Sequence, residues 1–169
     1  MVAITLYDAY FPILAKTLNA ADAVLTAGET HAKENSVDAN AEYTEARLCA
    51  DMYTLVQQIQ TLTRIIKATV TLLTGLDPED WPTDEKTFAE LHARVQRTRE
   101  LLAQVKPEAI NGREDEAVHF EPLNIHSTVK NWLSDMALTN AFFHLTTAYG
   151  ILRTKGVPLG KKSYLAPFL

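Results

Sequence analysis

One cysteine, Cys49, is all that the 169 residues contain. A lone thiol closes no intramolecular disulfide, so the cross-linked framework of small secreted domains is excluded. Long uncharged runs are missing too. The apolar start, residues 2–27, is interrupted by Asp8, Lys16 and Asp22, and no stretch reaches the roughly 18 uncharged residues of a membrane span. The first residues offer neither a basic segment nor the apolar core of a secretory signal. These absences point to a cytoplasmic protein with no membrane partner. Positive charge is in deficit: 16 Lys and Arg stand against 21 Asp and Glu, a net charge of -5. Nucleic-acid binding needs a concentrated basic face, so nucleic acid is not an expected partner. No phosphate loop, nucleophile elbow, dinucleotide fingerprint or paired-cysteine metal motif occurs, which removes the commonest enzyme classes and any obvious cofactor.

What the chain has is helical periodicity, in a length that fits a single domain over residues 1–169. Apolar residues recur in alternating steps of four and three at Tyr7, Phe11, Leu14, Leu18, Ala21 and Leu25. The same stepping runs from Leu48 and Met52 through Leu55, Ile59, Leu62, Ile66 and Thr69 to Leu73, and again from Phe88 through Leu91, Val95, Thr98 and Leu102 to Val105. Such stripes bury one helix face against neighbours crossing at a shallow angle. Gly75 suits a left-handed cap after the second stripe, Thr83 offers an N-cap for the third, and Pro107 ends it. Pro12 either starts the main part of the first helix or kinks it. The pattern predicts an all-α, antiparallel, up-down four-helix bundle. Its helices should lie near residues 5–32, 42–74, 84–105 and 128–155. Residues 107–126 form an irregular segment before the last helix, and the tail, with Leu159, Tyr164 and Phe168, should pack back on the bundle.

The fourth helix differs from the others. From Met136 to Leu152 it reads MALTNAFFHLTTAYGIL, with no acidic or basic residue apart from His144, so it should be the most buried element. Asn140 and His144 are four apart and share a face. Buried polar groups need partners, and Asp51 and Gln58, in a row beside the second stripe, are placed to supply them. This is either a satisfied buried network that fixes helix register or a site. As a site, His144 is the candidate catalytic acid or base, the one core group that titrates near neutral pH. Asn140, Asp51, Gln58 and Tyr149 would orient a small molecule, with residues 107–126 closing over it. His31 and His92 are expected at the surface, and Cys49 is expected to be a small, buried or half-buried apolar residue.

Three stretches carry a family resemblance: ARLCADMYTLVQQIQ at 46–60, TFAELHARVQRT at 87–98, and FFHLTTAYGILRTKGVPLGKKSYL at 142–165. Together they resemble the domain of unknown function family nineteen-ninety-three, a branch of the DinB/YfiT-like four-helix bundles, over about Leu6 to Leu165. The resemblance implies an up-down bundle that often self-associates, here as a homodimer. In the wider superfamily a divalent metal is bound by one histidine on the second helix and a pair spaced i, i+4 on the last. The matching pair here is Asn140 and His144, and residues 42–74 contain no histidine, with Asp51 the nearest substitute. One imidazole of three remains, and no metal site is expected. A metal-dependent transferase would need His144, Asp51 and a third ligand such as His126. Relatives also tend to have proline where this chain has Thr139. Three functions stay open: a small-molecule-binding or non-hydrolytic enzyme domain, a degenerate metal-dependent transferase, and a homodimeric interaction module.

Overall fold

The computed structural model describes residues 4–169. Helix α1 spans Leu6–Glu34, capped by the Thr5 hydroxyl. It runs through Pro12, which therefore does not start it. A short α2, Ala39–Tyr43, leads into a loop, and α3 follows at Leu55–Thr74. Helix α4 covers Phe88–Leu102. Strands β1, Ala117–Phe120, and β2, Ile125–Thr128, form an antiparallel hairpin with His119 opposite His126. The last long element begins as α5, Val129–Asn131, passes through a π-helical segment, Trp132–Leu138, and continues as α6, Thr139–Thr154. A single turn of helix, α7, Lys161–Leu165, lies in the tail.

The molecule is mostly helical, with this one small sheet. Helix α1 packs on α4 and α6, and α3 packs on the same two from the other side. Most of the three stripes lines the resulting core. Phe11, Leu14, Leu18, Ala21 and Leu25 are buried, as are Leu55, Ile59, Leu62, Ile66, Phe88, Leu91 and Val95. The tail packs as expected. Tyr164 meets Tyr149 edge-on, Phe168 lies against Phe142, and Lys16 Nζ donates to the Phe168 carbonyl at 2.7 Å.

Two helix starts differ from the periodicity. The second long helix begins at Leu55, not near 42, because Thr54 and Gln57 close a capping box there. Its first amides are further satisfied by the Ala46 and Thr44 carbonyls, at 2.8 and 3.2 Å. Leu48 is consequently 40% exposed on a loop, and Cys49 is exposed rather than buried. The third helix starts at Phe88 behind a second capping box, Thr87 with Glu90, so Thr83 is not its cap. Both boxes follow the Thr-x-x-Gln/Glu pattern that satisfies two otherwise orphaned amides. Val118–Phe120, too short to assign from sequence, is a strand stabilised by pairing with 125–128. His92 and His31 are half-buried: His92 lies between Asp22 and Glu29, at 2.6 and 3.0 Å, and His31 bonds the Tyr43 hydroxyl at 2.9 Å.

Candidate functional site

The contact between α3 and α6 brings two of the sequence candidates together. His144 Nδ1 lies 2.6 Å from Gln58 Oε1 in a buried position. Gln58 Nε2 donates to the Tyr53 carbonyl at 3.2 Å, which turns the amide oxygen toward the imidazole. An amide oxygen only accepts, so Nδ1 carries the proton and Nε2 is left as a bare lone pair. Nε2 has no hydrogen-bond partner among the described residues. His144 is 7% exposed, and burial, reinforced by the Arg64 guanidinium, lowers its pKa to about 4. The ring is therefore neutral at physiological pH. Tyr53 stacks on it and Phe143 meets it edge-on, with centroids at 6.4 and 5.2 Å.

The other candidates are placed elsewhere. Asp51 is exposed on the loop before α3 and does not join the core network, because the helix that would have aimed it inward begins only at Leu55. Tyr149 packs against Tyr164 of the tail, away from His144's aromatic neighbours. Asn140 lines a cavity of about 640 Å³. Among the described residues its amide nitrogen reaches only the Met136 sulfur, at 4.0 Å. Helix α6, expected to be the most buried element, nevertheless leaves Phe143 57% exposed. An uncharged helix can still leave one face outside, where threonines satisfy themselves on the backbone, as Thr147 does on the Phe143 carbonyl.

The cavity lies between α3, the 75–87 loop, the β1–β2 turn and the start of the last helix. Arg64 lines the cavity and its charge is also felt at His144, whose ring is not itself part of the wall. Phe120 and Leu123 bring the hairpin into the wall. The π-helical turn contributes Met136. It falls just before Thr139, whose hydroxyl donates to the Asp135 carbonyl. Segments of this kind are frequent at functional sites.

Sequence reasoning missed the charged wall around Trp81. Arg97, Lys67 and Arg94 surround its ring, with the cations 3.9, 5.7 and 5.8 Å from the ring centroid. Trp81 Nε1 donates to Asp77 Oδ2 at 2.8 Å. Arg94 is buried and bonds Glu85 Oε1 at 2.5 Å, the Pro82 carbonyl at 2.6 Å and Thr63 Oγ1 at 2.8 Å. Asp77 sits at φ 45, a left-handed conformation unusual outside glycine. Its carbonyl accepts from Lys67 Nζ at 2.6 Å. Lys67 and Arg94 at helical positions between apolar residues were the available signal.

A resident metal does not fit these residues. Among the described residues no group of three His, Cys, Asp or Glu side chains is arranged to hold a metal ion. His126 stacks on His119 in the hairpin at 4.0 Å, Asp51 is on its loop, and Asn140 and Gln58, the candidates named with His144, are neutral amides. Amides are poor ligands for the divalent ions that favour imidazole, and the Arg64 charge opposes any cation beside His144.

The fold is that of the DinB-like helical proteins. The crystal structure of a DinB family member protein from Shewanella denitrificans superimposes with a TM-score of 0.86 at 30% identity, covering 95% of this chain and 91% of that one. Residues 6–165 match the family described as Domain of unknown function (DUF1993), and the chain belongs to that family. No curated protein matches it. No helix among the described residues is long and apolar enough to cross a membrane.

Proposed function

We propose that this protein binds a small organic molecule along the α3–α6 groove, in an antiparallel up-down bundle working in the cytoplasm. The ligand occupies the cavity at Asn140 and extends toward His144. One observation carries this reading: a neutral imidazole with its Nδ1 proton committed to Gln58, and hence its Nε2 lone pair free, lies one turn of α6 from Asn140, which lines a cavity of about 640 Å³. Cavities of roughly 300–1,000 Å³ suit metabolite-sized ligands. His144 Nε2 is equipped to accept a proton or a hydrogen bond, and Asn140 to orient a polar group. A metabolite screen by native mass spectrometry tests this on wild type, His144→Gln and Asn140→Leu. A ligand retained by wild type and weakened in both variants supports the site. A ligand indifferent to both replacements would place binding elsewhere.

A second reading, a homodimer, is favoured by the exposed aromatic pair that flanks His144. Tyr53 and Phe143 are 49% and 57% exposed, on a face that a second copy would cover. Sedimentation at micromolar concentration distinguishes it: only 18.8 kDa monomer would exclude the dimer, and a dimer dispersed by Phe143→Glu would support it.

A further inference from the structure

The chemistry of the cavity wall is mixed. Leu72, Trp81, Leu123 and Met136 supply apolar surface, and Leu123 is largely exposed at the hairpin tip. Three cations, Arg64, Lys67 and Arg94, line it too, and Lys67 and Arg94 also lie over the Trp81 ring. Of these, Arg94 is neutralised by Glu85. Lys67 is not. It is 7% exposed, yet no carboxylate among the described residues lies within ion-pair distance of its ammonium. The ammonium has three N–H donors. One reaches the Asp77 carbonyl at 2.6 Å, a second stands 3.5 Å from the Thr71 hydroxyl, and the third has no hydrogen-bond partner among the described residues, the remaining contact being the Trp81 ring at 5.7 Å. Arg64, exposed on the same wall, also lacks an ion pair there. The one acid on the wall, Asp80, is exposed and hence screened by solvent.

A buried ammonium without a counter-charge is costly. Holding the 75–77 turn accounts for one of its hydrogen bonds, but a neutral donor would serve for that. We propose that the cavity takes an amphipathic monocarboxylate, with its carboxylate on Lys67 and Arg64 and its apolar body against Trp81, Leu123 and Met136. This rests on the reading of the cavity as a ligand site and names the class of ligand. The anion supplies the charge that Lys67 lacks, and the apolar wall gains the burial that an exposed Leu123 forgoes.

Calorimetric titration with decanoate, and with decanol as its uncharged counterpart, tests the assignment. Decanoate should bind one per chain, roughly tenfold or more tighter than decanol, as expected for a hydrogen bond to a charged group. Lys67→Met, which keeps the length and removes the charge, should abolish that preference and leave decanol binding unchanged. Arg64→Gln, at an exposed position that does not endanger folding, should reduce it in part. Equal affinity for the two probes, or a preference that survives both replacements, overturns the carboxylate assignment. So does the absence of saturable binding by either probe. In each of those cases a ligand of another class that is sensitive to His144→Gln and Asn140→Leu would leave the proposed function standing. Decanoate bound through Lys67 but indifferent to both of those variants would leave the carboxylate site standing without a role for His144.

Discussion

His144 and Gln58, 86 residues apart in the chain, are joined by a hydrogen bond of 2.6 Å that sets which imidazole nitrogen is free. The Tyr53 carbonyl holds the Gln58 amide from behind, so the tautomer is dictated by backbone geometry at the start of α3. This arrangement keeps the ring neutral, because Gln58 gives no negative charge to an imidazolium while burial and Arg64 both disfavour one.

Stability should therefore depend on pH in a defined interval. An imidazole in the unfolded chain titrates near 6.5, and His144 in the fold near 4. Between those values the unfolded chain binds the extra proton. His144's contribution is full above about pH 6.5 and is progressively lost as pH falls toward 4, by at most about 3 kcal/mol. Urea midpoints for wild type and His144→Gln at about pH 7.5 and about pH 4.5 measure it. The variant should lose less stability between the two. Identical losses would mean that His144 titrates normally in the fold.

Replacing Gln58 separates charge from hydrogen bonding. Gln58→Leu leaves Nδ1–H buried without an acceptor and should cost about 1–3 kcal/mol. Gln58→Glu restores the acceptor and adds a charge that favours imidazolium, so the His144 pKa should rise. Imidazole proton shifts followed through a pH titration by NMR read this directly. A His144 pKa unchanged in Gln58→Glu would show that the two side chains do not meet.

Much of this was legible in the chain. The four-three stepping located the faces of α1, α3 and α4, because burial of one stripe is what makes those helices stable. Gly75 marked the end of α3. The periodicity starts α3 too early, because Leu48 and Met52 continue the stripe by chance, while the capping box at Thr54 and Gln57, also readable, sets the true start. That early start is what would turn Asp51 toward the site. Gln58 and His144, each polar on an apolar face, do meet. The cavity was not legible. It depends on the 75–87 loop and the β1–β2 turn, whose positions follow from long-range contacts such as Lys67 to Asp77 and Phe120 to Trp132.

Gly75 caps α3 at φ 74, where its amide donates to the Thr71 carbonyl at 2.8 Å. A β-carbon there would meet nothing within 4 Å. Any cost of Gly75→Ala is thus conformational, about 1 kcal/mol for a left-handed L-residue. Gly75→Asn should cost less, since asparagine tolerates that region. Thermal unfolding of the two variants should rank them wild type, Asn, Ala. Equal stability of all three would mean the cap is not held in that conformation.

Arg94 and Glu85 should show the asymmetry of a buried ion pair. Arg94 is almost fully buried and Glu85 nearly so, at 5% and 12% side-chain exposure. Arg94→Leu leaves the Glu85 carboxylate with only the Gln60 amide, at 2.8 Å, and removes donors from the Pro82 carbonyl and Thr63 hydroxyl. That variant should lose about 3–5 kcal/mol. Glu85→Gln should lose less, because glutamine still accepts from Arg94 and the guanidinium keeps its bond to the Pro82 carbonyl. The double variant should be more stable than Arg94→Leu alone, since it no longer buries an unpaired carboxylate. Denaturant titrations of the three, arranged as a cycle, give the coupling. Tryptophan emission, shared by Trp81 and Trp132, offers an independent readout, because the Trp81 ring lies among Arg94, Arg97 and Lys67. If Arg94→Leu and the double variant are equally unstable, the unpaired charge is not the cause, and the lost contacts to Pro82 and Thr63 account for the effect instead.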